Sequence, residues 1–249
     1  MMMNLLKTIA SVVAATAVLA LSTVGAMAQS TWDAIQERGT LRIGVTQAPP
    51  WFTKDISSGE WTGGLGVTLG QKMAEALEVE LETVEVTWGT SIAALQSDKI
   101  DLMYFLSPTA SRARTIDFTT NPVGYISQAV LAADSVDAST WAGLNSGDTS
   151  FSVPQATSMD QFLTRMVPDA DIQRFPDNAA SIAAFQSGRV DAVSLMLPPL
   201  LSARQKLGAG VISVPTPAFT APVNIGMRRE DDKTFRDWLD TVSHYWYET

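Results

Sequence analysis

Two stretches of this chain follow the same pattern of residues. One reads SIAALQSDKIDLMYF and begins at Ser91, and the other reads SIAAFQSGRVDAVSL and begins at Ser181. Each predicts a helix, a short turn, and a strand entered through a basic residue, an apolar residue and an aspartate. A chain that builds the same helix–strand unit twice is expected to fold as two similar lobes with a cleft between them. Such clefts are preferred places for small-molecule sites.

The segments around these repeats alternate between strand and helix signals. This alternation favours an α/β fold in which each lobe is a largely parallel sheet flanked by helices. An extended segment at 121–134 separates two series of such elements. The first series has strands at 40–46, 79–87 and 99–106 and helices at 67–77 and 91–98, and the second series runs from 149 to 208.

The first 28 residues have the layout of a secretory signal peptide. Lys7 gives a positive start, residues 9–21 are almost wholly apolar, and Ala26, Met27 and Ala28 form a small-x-small cleavage site. The apolar run is shorter than the ~20 residues that a membrane-spanning helix needs. We therefore expect residues 1–28 to be a cleaved signal peptide and the protein to be exported to a periplasm.

The composition excludes several classes of chemistry. The chain has no cysteine and one histidine, His244, which rules out disulfides and thiolate sites and leaves metal ligation and a histidine-based triad poorly supplied. Its formal net charge of −9 is unsuited to nucleic acid, which calls for basic patches. We expect no metal, no cofactor, no nucleic-acid partner and a monomeric state.

Aromatic residues lie at or just beyond predicted strand ends. Ligands of open α/β sheets bind outside the carboxyl ends of the strands, so these rings are candidates for a stacking wall. Packing in the core or between the lobes is the other interpretation. Trp51 and Phe52 are the strongest candidates because they follow the first strand through the segment APP. The full set is Trp51, Phe52, Trp61, Trp88, Tyr104, Phe105 and Tyr125.

The segment SPTASRARTIDF carries two arginines, Arg112 and Arg114, in a chain that is otherwise acidic. A helical turn after the preceding strand would offer backbone amides and the hydroxyls of Ser107 or Thr109 to an anion. A guanidinium adds a planar fork that matches a carboxylate. Either arginine is therefore a candidate for anion binding, and a solvated surface charge is the alternative for each.

Five segments in the same order resemble the periplasmic solute-binding proteins of polar-amino-acid ABC importers. They read LRIGVTQAPPWF, WTGGLGVTLGQKMAEAL, VTWGTSIAALQSDKIDLM, TASRARTIDFT and FQSGRVDAV. The resemblance implies two α/β lobes that are linked by two extended hinge strands and close on one ligand. It implies that residues 29–127 and 221–249 form lobe 1, that residues 128–220 form lobe 2, and that the partners are a small solute and the membrane subunits of an ABC permease.

The resemblance also implies roles for individual residues. It places the carboxylate-binding arginine of the family on Arg112, a solvated basic position on Arg114, and a ligand-facing hydroxyl on Ser107. The turn from the other lobe that holds the same carboxylate falls on residues 155–158, where Thr157 and Ser158 are the candidates. Within that turn, Ala156 replaces the glycine usual in the family.

Met196 stands where the family normally carries an aspartate that pairs with the ammonium group of the ligand. Either another acid supplies that counter-charge, or the ligand is not a standard α-amino acid. It would then be a carboxylate without a free amine, or a substituted or quaternary amine held by aromatic faces and methionine. The predicted ligand-binding residues are Arg112, Ser107, Trp51, Phe52, Thr157, Ser158, Tyr104, Met196 and Trp88.

An enzyme on the same scaffold is the main alternative to a binding protein. The family resemblance includes relatives of this fold that have become dehydratases of small cyclic carboxylates. Such an enzyme would use acids in the cleft, but Asp101 and Asp191 begin predicted strands, where we expect them to pair or cap. The sequence therefore favours binding over catalysis.

Overall fold

Two sets of parallel strands, each flanked by helices, organise the computed structural model, which describes residues 29–248. In the first set, β4 and β5 pair in parallel on either side of β1. In the second set, β9 and β10 pair in parallel on either side of β8. The predicted two-lobed α/β fold is thereby confirmed, whereas the predicted signal peptide, residues 1–28, lies outside the described residues.

The first set is built mainly from the amino-terminal half of the described chain. Its helices and strands are α1 (Thr31–Arg38), β1 (Thr40–Val45), β2 (Thr53–Lys54), β3 (Trp61–Gly63), α2 (Leu65–Ala76), β4 (Glu80–Glu85), α3 (Ser91–Gln96), β5 (Leu102–Leu106), a 3₁₀ turn (Arg112–Arg114) and β6 (Ile116–Phe118).

The second set follows, and the chain then returns to the first. The remaining elements are β7 (Gly124–Ala132), α4 (Trp141–Leu144), β8 (Ser150–Pro154), α5 (Ser158–Met166), β9 (Asp171–Phe175), α6 (Asn178–Gln186), β10 (Ala192–Met196), α7 (Leu197–Leu207), β11 (Val211–Ser213), β12 (Thr220–Arg228) and α8 (Thr234–Glu248).

Two long strands, β7 and β12, connect the two sets. β12 pairs antiparallel with β5 of the first set and, through its first residues, with the start of β7. β7 continues into the second set, where it pairs antiparallel with β10. Each parallel set therefore gains an antiparallel neighbour that the alternation of strands and helices did not predict. The proposed lobe boundary falls where Ser127 of β7 lies opposite Thr220 of β12, with their hydroxyl oxygens 2.8 Å apart.

The repeated sequence forms the same local structure in both sets. It folds as α3 and β5 in the first set and as α6 and β10 in the second. Asp101 accepts a hydrogen bond from the backbone amide of Arg42 in β1 at 2.7 Å, and Asp191 accepts one from the backbone amide of Ser150 in β8 at 2.9 Å. Each aspartate ties its strand to the parallel neighbour, as the sequence predicted.

Several short elements were not predicted from the sequence. The hairpin of β2 and β3 and the elements α1, α4 and β11 have no counterpart among the predicted helices and strands. These elements are short and depend on packing against larger neighbours, which local periodicity does not report. Within residues 29–248, no helix combines the length and the apolar character needed to cross a bilayer.

Candidate functional site

A narrow cavity lies where the end of β5, the segment after it and the start of α5 meet. Its walls lie close together and leave a volume of only about 20 Å³ between them. Residues from both strand sets line it, so it occupies the position of the predicted cleft. The lining residues are Trp51, Trp88, Phe105, Leu106, Ser107, Arg112, Thr157, Ser158, Met159 and Met196.

Arg112 is held in this wall by the turn that follows β5. Its backbone amide donates to the Thr109 hydroxyl at 3.4 Å, and its Nη1 donates to the carbonyl oxygen of Ser107 at 3.3 Å. The residue is only 8% exposed, yet no carboxylate in the described part of the chain forms an ion pair with it. Burial lowers the pKa of Arg112 to about 10, so the guanidinium remains charged at neutral pH. Arg112 is a buried cation, and most of its side-chain N–H groups have no acceptor among residues 29–248.

Arg114 lies on a different side of the same turn. A 3₁₀ turn has about three residues per revolution, so side chains two positions apart point in different directions. Arg114 is exposed, and its carbonyl oxygen accepts a hydrogen bond from Nη1 of Arg229 at 3.1 Å. The structure therefore brings Arg112 and not Arg114 to the cavity.

The opposite wall begins at the amino terminus of α5. The Thr157 hydroxyl caps this helix, because it accepts from the amide of Asp160 at 3.1 Å and donates to the carbonyl of Pro154 at 2.7 Å. Its single hydroxyl hydrogen is therefore already used. The amides of the first helical turn have no acceptor within the helix and carry the positive end of its dipole. Together with Arg112, this end of α5 makes the cavity suited to an anion.

The two walls contact each other at two places. The Ser158 hydroxyl donates to the Ser107 hydroxyl oxygen at 3.0 Å. Nearby, a Cβ atom placed on Gly89 would lie 3.1 Å from the carbonyl oxygen of Gln155 and 3.4 Å from the Cβ of Ala156. Gly89 thus permits the close approach of the turn at 155–158.

Ala156 keeps the backbone conformation that the missing glycine would adopt easily. Its φ is +58°, in the left-handed region that costs a residue with a side chain roughly 1–2 kcal/mol. The substitution noticed in the sequence therefore leaves the turn with a glycine-like conformation at the expense of local strain.

Aromatic rings form one side of the cavity. The rings of Trp51 and Phe105 stack with centroids 5.2 Å apart, and Trp88 meets Trp51 edge-on at 6.0 Å. Phe52 is fully buried and supports this wall from behind, through contacts with Trp88 and Phe105. Of these four residues, Phe52 is the one that the structure does not bring to the cavity surface.

Tyr104 is also absent from the described lining of this cavity. It lines a separate apolar cavity beside His244 and Trp246. The rings of Tyr104 and Phe105 lie side by side with centroids 6.0 Å apart, and the backbone of Phe105 has a φ of +62°, which interrupts the regular alternation of side chains along β5. The sequence predicted Tyr104 and not Phe105 as a ligand-binding residue, whereas the structure brings Phe105 to the cavity. Leu106 and Met159 were missed as well, since neither has a chemical feature that marks a binding residue.

Two further features of the lining concern polarity. The indole Nε1 of Trp88 is buried and has no hydrogen-bond partner within the described residues. Met196, at the end of β10, is 4% exposed and contributes a thioether. Among the described lining residues there is no acid, so the first of the two alternatives for Met196, a replacement carboxylate, is not found on these walls.

Comparison with known proteins places this geometry in context. The family of bacterial extracellular solute-binding proteins, family 3, matches residues 41–244. The L-cystine-binding protein TcyJ of Escherichia coli is 24% identical over 160 residues, which cover 64% of this chain and 59% of that protein. This chain therefore matches less than two thirds of the length of that curated relative.

Solved structures match over more of the chain. The ancestral amino acid-binding protein AncCDT-1, described as a precursor of cyclohexadienyl dehydratase, is 28% identical, with a TM-score of 0.79 over 88% of this chain and 94% of that one. A truncated, arginine-bound ArgBP from T. maritima is 25% identical, with a TM-score of 0.77 over 86% of this chain and 99% of that one.

Proposed function

The chain belongs to the bacterial extracellular solute-binding proteins, family 3, and from that premise we propose that it delivers a small carboxylate-bearing solute to an ABC importer. The solute, an amino acid or a derivative of one, binds in the cleft between the two lobes. The signal-peptide layout of residues 1–28 supports export to the periplasm, and the membrane subunits of an ABC permease are the proposed partners.

The buried and unpaired guanidinium of Arg112 is the observation that carries this proposal. Removing a charge from water without a counter-charge is costly, so a fold that keeps such a group needs a reason. A bound carboxylate would supply the missing counter-charge and accept two of the unused N–H groups in parallel. The first-turn amides of α5 would donate to the same anion.

Binding in this proposal proceeds in two steps. The solute first meets lobe 1, where Arg112, Ser107 and Trp51 hold its carboxylate and body. Closure then brings Thr157 and Ser158 of lobe 2 onto the carboxylate through backbone amides and the Ser158 hydroxyl. The solute stabilises the closed form only by the contacts that exist there and not in the open form. The permease would recognise the closed arrangement.

The names of the related proteins suggest which solutes to test first. TcyJ is named as a binder of L-cystine, and the ArgBP structure is arginine-bound.

The test starts with protein purified from its native periplasm, from which denaturation releases bound small molecules for mass spectrometry. Titration calorimetry with the identified solute then compares wild type with Arg112→Ala and Arg114→Ala. We expect the first variant to weaken binding about 30-fold to several-thousand-fold and the second to have little effect. Equal effects of the two variants would contradict the proposed site.

A dehydratase is the second candidate, because one similar structure is described as a precursor of such an enzyme. Incubation of the released solute with a large amount of protein, followed by mass spectrometry, separates the two functions. A binding protein returns the solute unchanged. Loss of water from the solute, abolished in Arg112→Ala, would favour the enzyme.

A further inference from the structure

The charge of the cavity differs in sign from that of the chain. The whole sequence has a formal net charge of −9, but Arg112 is the one charged residue among the described residues that line the cavity. A neighbouring cavity shares Ser107 and Ser158 with it and contains Arg165, again with no acid among its described lining residues. Positive side chains therefore carry the formal charge along the described walls of both cavities.

The unused hydrogen-bonding groups on the cavity walls are mainly donors. Among the described residues they are the remaining N–H groups of Arg112, the partnerless Nε1–H of Trp88 and the amides of Ser158 and Met159 at the start of α5. The Thr157 hydroxyl hydrogen is taken by Pro154 and the Ser158 hydroxyl donates to Ser107. An ammonium group only donates and needs acceptors, and the described lining offers it hydroxyl and main-chain oxygens but no negatively charged carboxylate.

We propose that the solute is an organic carboxylate without an ammonium group, whose apolar body lies against the wall formed by Trp51, Phe105 and Met196. This inference rests on the proposed function and narrows its solute. One carboxylate and Arg112 together leave the closed cavity neutral. An α-amino acid brings its own cation, so the closed cavity would keep one uncompensated positive charge away from water.

A quaternary amine is disfavoured by the same balance of charge. It needs no acceptor, and aromatic faces attract it, but it too leaves the cavity positive. In addition, one face of Trp51 is covered by the stacked ring of Phe105. Fewer open faces remain around the cavity for a cage of rings.

The test compares matched compounds that share one carbon skeleton. We would titrate refolded full-length protein with 4-methylpentanoate, leucine and trimethylated leucine, and with 3-phenylpropanoate and phenylalanine, by calorimetry. For each carbon skeleton that binds, we expect the dissociation constant of the simple acid to be at least tenfold lower than that of the matching amino acid or trimethylated amino acid. An amino acid or a trimethylated amine that binds as tightly as its parent acid overturns the inference.

The outcome also separates this inference from the proposed function. If amino acids bind tightly and their binding depends on Arg112, only the proposed solute class is contradicted. If the acids and amino acids of a broad panel of skeletons all fail to bind wild-type protein that melts cooperatively, the proposed function fails with it.

Two variants at one position test whether charge is the cause. Met196→Asp adds a carboxylate to the wall, and Met196→Asn adds a polar group of the same shape without charge. We expect Met196→Asp to shift the ratio of the two dissociation constants at least tenfold towards the amino acid, and Met196→Asn to shift it far less. Equal ratios in the two variants would overturn the argument from charge. Thermal melts check that each variant folds, and the wild-type comparison stands without them.

Discussion

Replacing Arg112 by methionine should make the protein more stable than wild type without ligand and less stable than wild type when ligand is present. Methionine is similar in length but uncharged, so Arg112→Met removes a buried cation without leaving a large hole. Burial lowers the pKa of Arg112 from its ordinary value to about 10, which at about 1.4 kcal/mol per pKa unit corresponds to about 3 kcal/mol. This is an upper bound, because the variant also loses the hydrogen bond to the carbonyl of Ser107, worth about 1 kcal/mol. We expect the free energy of unfolding to rise by about 1–3 kcal/mol at pH 7.

The sign of this effect follows from proton binding. The folded-state pKa lies below the unfolded one, so at pH 7 the guanidinium is charged in both states and the full penalty is present. The penalty falls only as the pH rises above about 10 and the folded protein releases the proton. The stabilisation in Arg112→Met is therefore constant across the physiological range.

Urea unfolding of refolded protein, with and without carboxylate, measures both halves of the prediction. A carboxylate at a thousand times its dissociation constant should stabilise wild type by about 4 kcal/mol and Arg112→Met far less. The order of stability should thus reverse when the ligand is added. Arg114→Met is the matched control, with the same substitution at an exposed position of the same turn. If ligand-free Arg112→Met is less stable than wild type while Arg114→Met is not, the reasoning is refuted, since Arg112 would then support the fold.

Three further predictions concern two backbone positions and the stability of the protein at low pH. Ala156→Gly should relieve the left-handed strain and raise the free energy of unfolding by up to about 1 kcal/mol in urea titrations, so a lower value would contradict that strain. Gly89→Val should keep the turn at 155–158 away and weaken carboxylate binding about tenfold or more in calorimetry, whereas unchanged binding would show that closure does not need this contact. Hydrogen bonds from the Ser150 hydroxyl and, second in size, from the Ser150 amide lower the pKa of Asp191. The stability that these bonds give the protein is therefore complete above the pKa of Asp191 in the unfolded chain. It is lost as the pH falls through the lower pKa of Asp191 in the folded protein. Asp191→Asn should therefore cost about 1–3 kcal/mol at pH 7, and its gap to wild type should narrow below about pH 4; a gap independent of pH would rule out the ionised carboxylate as the cause.

Most of the fold could be predicted from the sequence because its main elements have strong local signals. The repeated helix–strand unit identified α3, β5, α6 and β10, and the predicted helix at 67–77 matches α2. What could not be predicted depends on distant contacts. The antiparallel neighbours β7 and β12 are specified by pairing across the chain, which no local pattern reports.

The sequence identifies cavity residues where a distinctive chemical group marks them and misses those that only the folded geometry brings there. Arg112 and Ser107 carry distinctive groups, and the structure brings both to the cavity. Phe105 and Tyr104 are both aromatic and adjacent in β5, so only the folded backbone decides which of them lines the cavity. The left-handed φ of +62° at Phe105 is a property of the folded backbone that the sequence does not reveal.

Local strain in the described chain concentrates around this cavity. Four residues other than glycine have a positive φ. Two of them, Glu78 and Asp98, follow the ends of α2 and α3, where a left-handed residue is an ordinary way to finish a helix. The other two, Phe105 and Ala156, lie in or beside the walls that also hold the unpaired Arg112. Such features persist only where the surrounding structure enforces them, and they collect at binding sites. A site that is unfavourable on its own gains the most from a ligand that neutralises it, so the strain and the buried charge together favour capture over simple stability.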